Sequence, residues 1–228
     1  MSDRSYASLK WRANARRHPS AFLLAAQLLS MLAYPLFEPS GGGRVVFGAF
    51  GVLVLALAVW VVNRSPAIKW IAWLLAAPAF ALSILSVLFA SDTLLIASSA
   101  LEALVYFYAA GSLIAYMMSD HRVTADELFA AGATFTLLAW GFAYAFLVCQ
   151  AWYPGSFVGL ERPGEPRTWI ELLFLSFTNL SAVGLGDVIP IGSGARVLVM
   201  LEQFAGVGYV AAVVSRLIGL TILRQERR

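Results

Sequence analysis

Val183-Gly184-Leu185-Gly186-Asp187 offers the most chemistry in this sequence, and the chemistry is that of the backbone. The run holds no nucleophile and no acid–base pair. Glycine reaches positive φ without steric cost. A short run that alternates left- and right-handed residues turns successive carbonyls the same way. A ring of such strands stacks carbonyl oxygens that replace an ion's hydration shell. Asp187 adds a carboxylate at the end of the run, where a ring of acids concentrates cations. Irregular backbone survives at membrane depth only when buried in protein or lining a water-filled cavity. The plainer alternative is that Gly184 and Gly186 serve a loop or close helix packing.

The elements that must position this run are membrane helices. The 228 residues are 60% hydrophobic and 13% charged, with a mean hydropathy of +0.77. That composition excludes a soluble domain, which needs far more polar surface, and it excludes disorder. Six stretches approach the roughly 20 apolar residues that a spanning helix needs: 20–37, 45–62, 68–89, 93–118, 128–152 and 197–220. The stretch 168–187 is too short and too interrupted to cross. Its first part reads as a short helix to about Leu180. Pro39 to Gly43, Asn63 to Pro66 and Pro154-Gly155 punctuate the chain where loops are needed. Pro78 falls inside the third span, where a kink is tolerated. The first span lacks a small-residue cleavage site and contains Gln27 and Tyr34-Pro35, so it reads as a retained helix rather than a signal peptide.

Orientation follows from the basic residues. With six spans both termini share a side. That side collects twelve Lys and Arg, while the other holds Arg44, Arg162, Arg167 and Arg196. Both termini are therefore expected in the cytoplasm of a cell with the protein in its inner membrane. The expected organisation is a basic cytoplasmic arm at 1–19, a four-helix membrane scaffold at 20–118, a pore domain at 128–220 and a short cytoplasmic tail at 221–228. The excess positive charge sits at the two ends, which argues against nucleic-acid binding.

Enzyme chemistry has little to stand on. His18 and His121 sit at span ends, and the single Cys149 lies in an apolar run. No nucleophile has a base beside it and no histidine has a metal-ligand partner. No enzymatic activity and no cofactor are expected.

The central run resembles the pore loop of the potassium channel superfamily, whose filter reads Thr-Val-Gly-Tyr-Gly-Asp after a short pore helix. The matching residues here are Ala182-Val183-Gly184-Leu185-Gly186-Asp187, with Ile189-Pro190 following. The resemblance covers about 128–220 and resembles most the bacterial members with a two-helix pore module. It implies an all-α membrane fold of six helices, with a re-entrant pore helix and filter loop between the fifth and sixth. It further implies a homotetramer that conducts K+ through the backbone carbonyls of Ala182, Val183, Gly184, Leu185 and Gly186. K+ in this filter would be the only bound metal. Two departures bear on selectivity. Ala182 replaces the threonine whose hydroxyls complete the innermost site, and Leu185 replaces the tyrosine that clamps the filter to the pore helix. The alternatives are a non-selective monovalent cation channel or, further off, an ion transporter or a membrane scaffold.

Further residues need placing. Gly206 and Gly208, in the sixth span, are either a gating hinge or packing glycines. Glu202 falls near filter level and is positioned to brace the pore helix. Glu102 falls mid-membrane and must be protonated, bonded to a hydroxyl, or facing water. Asp187 is also placed to fix the filter by a hydrogen bond to the pore helix, through Trp169 or a backbone amide. Residues 93–118 contain no Lys or Arg, so the charged fourth helix of a voltage sensor is missing.

Overall fold

The computed structural model describes residues 19–226, apart from 38–42, 64–67, 90, 120–124, 161 and 163. Within these residues the chain forms seven helices and two short strands. They are α1 (Pro19–Phe37), α2 (Gly43–Val62), α3 (Lys69–Phe89), α4 (Asp92–Ser119), α5 (Ala125–Trp152), β1 (Phe157–Gly159), α6 (Trp169–Leu180), β2 (Val188–Pro190) and α7 (Ser193–Glu226). Each of the six apolar stretches is a helix, and Trp169–Leu180 is the short seventh. Pro78 lies within α3 without ending it. By length and composition, three described helices can cross a membrane: Asp92–Ser119, Asp126–Trp152 and Ser193–Arg216. The described apolar parts of α1 to α3 are shorter. The basic arm lies, but for its last residue, outside the described residues, as do nine of the sixteen Lys and Arg.

The helix that holds the last apolar stretch is longer than that stretch. The helix begins at Ser193 and runs on through the expected tail to Glu226, 34 residues in all. At about 1.5 Å per residue it measures roughly 51 Å, well beyond a hydrocarbon core of about 30 Å. The reason is local: from Ser193 to Glu226 the sequence offers no proline to stop it.

The core is built on α5, which packs against α4, α1, α6 and α7. Small residues on α4 and α5, among them Ala109, Ala110, Ala133 and Ala143, are fully buried and let these helices approach closely. Aromatic rings fill the remaining volume. Tyr106 of α4 stacks on Tyr144 of α5 at 5.6 Å and meets Trp140 edge-on at 5.7 Å. Trp169, the first residue of α6, seats between Trp140 (5.0 Å) and Tyr144 (5.8 Å). One aromatic stack thus joins α4, α5 and α6. Glu102 is buried beside it and accepts hydrogen bonds from Tyr144 and Ser83. Of the three expectations for Glu102, the hydroxyl partner is the one observed.

Two polar contacts close the opposite end of the bundle. Asp126, in the first turn of α5, accepts bonds from the amide (3.2 Å) and hydroxyl (3.1 Å) of Ser20 at the start of α1. Next to it, Glu127 pairs with Arg216 of α7 at 3.3 Å.

A strand pair that the sequence does not announce ties off the loop carrying α6. β1 and β2 run antiparallel, with Phe157 opposite Pro190 and Gly159 opposite Val188. The chain between them leaves and returns at the same place. Val-Ile-Pro and Phe-Val-Gly are too short to show a period of two.

Candidate functional site: the loop between α5 and α7

The site begins at a well-made helix start. Thr168 is the N-cap of α6, and Thr168 with Glu171 forms a capping box. The Thr168 amide donates to Glu171 Oε2 at 2.6 Å and its hydroxyl donates to the same oxygen at 2.8 Å. Arg162 reaches Glu171 at 2.7 Å and Arg167 at 3.3 Å. Burial pushes the Glu171 carboxyl up. The bonds from Thr168 and the two guanidinium groups outweigh it and hold the group below its usual 4.5. The geometry thus gives Glu171 a structural role at the start of α6. Arg167 is itself 2% exposed. Its backbone pairs with the side-chain amide of Gln150, through N–H to Oε1 at 2.7 Å and Nε2 to the carbonyl at 3.0 Å. That exchange fastens the entry of the loop to the last turn of α5.

The far end of α6 decides the shape of the central run. Ser181 is the C-cap, and Ala182 follows with φ of +60°. The Ala182 amide donates to the Asn179 carbonyl at 3.0 Å and the Val183 amide to the Thr178 carbonyl at 2.9 Å. These two bonds around a left-handed residue are a Schellman motif, a position where glycine is usual. Gly184 returns to positive φ, at +66°, and its amide also donates to Thr178 at 2.9 Å. Left-handed backbone therefore alternates at 182 and 184. Residues 181–187 are all exposed. Among the described residues, no carbonyl from Ala182 to Asp187 accepts a hydrogen bond. The run is a bare row of acceptors hung from a capped helix.

The other candidates divide around this row. Asp187 is exposed at its end. The Trp169 indole seats against Trp140 and Tyr144. Gly206 is buried with its Cα against the Leu180 carbonyl, and a Cβ there would lie far inside van der Waals contact. Gly208 faces open space, with nothing within 4 Å of a Cβ. Glu202 is fully buried and touches Ser176 Oγ, which also donates to the Ala139 carbonyl at 2.8 Å. Beside it, Gln203 Nε2 donates to Asn179 Oδ1 at 3.0 Å. Positions 202, 203 and 206 of α7 thus support positions 176, 179 and 180 of α6.

Ser176, Asn179, Gln150 and Arg167 are partners that sequence reasoning missed. Each is an unremarked polar residue in an apolar stretch or a loop, and its role depends on a partner 17 or more residues away. The capping box was open to view, since Thr168-x-x-Glu171 ahead of an apolar run is its signature.

A family profile described as "Ion channel" matches residues 132–222, from within α5 to near the end of α7. Protein LctB of Geobacillus stearothermophilus is 30% identical over 119 residues, which cover 50% of this chain and 84% of that protein. The potassium channel protein kcv of Paramecium bursaria Chlorella virus 1 is 30% identical over 54 residues, 22% of this chain and 57% of that protein. The chain belongs to the potassium channel superfamily of pore-loop channels. It is a multi-pass membrane protein, and the family match contains the α6 loop and most of both helices that flank it. No solved structure gives a significant match. Within this superfamily assignment, residues 20–118 lie outside the matched family profile.

Proposed function

We propose that this chain is the subunit of a homotetrameric cation channel that conducts K+ through the backbone carbonyls of residues 182–187. The observation that carries this reading is the bare row of carbonyls after Ala182, with alternating positive φ and no acceptor role within the described chain. One such row cannot enclose an ion; four around a cyclic axis can. The exposed apolar side of α7 supports the tetramer. Met200, Leu201, Val207 and Phe204, the last 82% exposed, have no cover in the single chain, and neighbouring subunits would cover part of that face.

In this reading α6 is the pore helix and α7 the inner helix, in a six-span chain with both termini cytoplasmic in the inner membrane. Arg162, Arg167 and Arg196 then lie outside with the filter mouth and Asp187. Arg216 lies inside, consistent with the bias in basic residues. The family's hydroxyl and tyrosine are replaced by Ala182 and Leu185, so selectivity for K+ over Na+ is expected to be relaxed. Gating is independent of a charged fourth helix, because α4 contains no Lys or Arg.

The test is the reversal potential of purified protein in planar bilayers under opposed K+ and Na+ gradients. Wild type is expected to pass discrete currents that favour K+. Gly184→Ala places a side chain at φ +66°, where it fits the space but not the backbone. It is expected to abolish the current with tetramer yield unchanged. Wild-type currents from Gly184→Ala would remove 182–187 from the ion path.

A further inference from the structure

Glu202 carries more than a packing role. It is an acid buried to 0% exposure in the middle of an apolar interface. Its Oε1 meets Ser176 Oγ. That hydroxyl donates at 2.8 Å to the Ala139 carbonyl. A serine hydroxyl has a single proton. With that proton given to Ala139, the contact with Glu202 needs a proton from the carboxyl. The second oxygen, Oε2, is buried with no hydrogen-bond partner among the described residues. An ionised carboxylate with one contact in such a place would bear a desolvation cost that the contact does not offset. A neutral acid satisfies both observations.

The geometry points to Glu202 as a positioning residue that sets the filter by donating a hydrogen bond from a neutral carboxyl to Ser176. The route to the filter is short. Ser176, Asn179 and Leu180 are held by Glu202, Gln203 and Gly206. The Thr178 carbonyl between them receives the amides of Val183 and Gly184. A pore helix that settles by a few tenths of an ångström therefore moves the amides that aim the filter carbonyls. Ala139 brings α5 into the same contact, so Ser176 is where outer, pore and inner helices meet.

This inference rests on the reading of 182–187 as the filter, and its test keeps the two apart. Glu202→Gln, Glu202→Leu and Ser176→Ala are compared with wild type as tetramers in bilayers. The amide of glutamine is neutral and donates, so Glu202→Gln is expected to hold the K+ to Na+ permeability ratio within about twofold of wild type. Glu202→Leu and Ser176→Ala each remove the bond and are expected to lower the ratio about tenfold. The double variant should be no worse than either single one, since both remove one interaction. Infrared spectra should show the C=O stretch of a protonated carboxyl that disappears in Glu202→Gln and shifts in Ser176→Ala. Should Glu202→Leu fail to assemble, Ser176→Ala and the infrared band decide.

Loss of selectivity in Glu202→Gln as deep as in Glu202→Leu would overturn the neutral-donor role. Wild-type selectivity in both Glu202→Leu and Ser176→Ala would overturn the positioning role, while a blocked Gly184→Ala still upheld the filter. A conducting Gly184→Ala would sink the filter reading, yet the protonated band of Glu202 would remain.

Discussion

Ala182 holds a conformation that side chains avoid, and the reason is its double duty. It ends α6 as the left-handed residue of the Schellman motif and begins the row of carbonyls. Left-handed backbone costs an L residue about 1–2 kcal/mol relative to glycine. Ala182→Gly is therefore expected to stabilise the tetramer by about 1 kcal/mol per subunit, read from its unfolding midpoint in mild detergent. Ala182→Thr would restore the hydroxyl of relatives, but a β-branched side chain at positive φ is strained. It is expected to lower the same midpoint by about 1 kcal/mol. At the other end of α6, Glu171 carries a pH prediction. Its folded value lies below the usual 4.5, so its contribution is present above 4.5. It is lost as pH falls through the folded value, because protonation then removes bonds that the unfolded chain never had. Glu171→Gln should lower the unfolding midpoint at pH 7, and the gap to wild type should close in strong acid. A gap that persists there would mean that the Glu171 charge contributes nothing.

At the scale of elements, α6 stands only because α7 lets it come close. Gly206→Ala would drive a methyl group into the Leu180 carbonyl, which is backbone at a helix end and cannot step aside. That variant is expected to lose several kcal/mol, seen as failure to purify as a tetramer. Gly208→Ala meets nothing and gains about 1 kcal/mol of helix propensity, so its yield should match or exceed wild type. Any change it makes in open probability then reports on bending at 208. The helices themselves were legible because runs of about 20 apolar residues leave few other structures available. The central row drew attention because two glycines, an aspartate and a proline fall in register between two apolar runs. The β1–β2 clamp, the Gln150–Arg167 exchange and the Ser176–Glu202 contact were not. Each joins residues distant in sequence, and the sequence does not show which residue pairs with which. Glu202 could be flagged as an acid in a span, but Ser176 as its partner could not.

For the whole molecule, the proposed tetramer would bring neighbouring subunits against the exposed side of α7 and around the open row 182–187. Purification in mild detergent is expected to give a tetramer, checked by light scattering with the detergent subtracted. A monomer that still conducts would contradict the shared filter. Voltage should matter little. Moving one elementary charge across the membrane is worth about 2.3 kcal/mol per 100 mV, and α4 has no Lys or Arg to move. A conductance that rises steeply with voltage would reveal a sensor elsewhere. The close seat of Gly206 on Leu180 has a mechanical meaning as well. An unbroken helix resting on a hard point is a lever, and Gly206 is its fulcrum. From there to Glu226 the arm is about 30 Å long, whereas Glu202 sits only about 6 Å to the other side. Were α7 to pivot there as a rigid rod, a displacement of its C-terminal end would reach Ser176 reversed in direction and reduced about fivefold, a gearing that turns coarse motion into adjustments of ångström scale. The Arg216–Glu127 pair, about 15 Å along the long arm, is where that lever is tethered to α5.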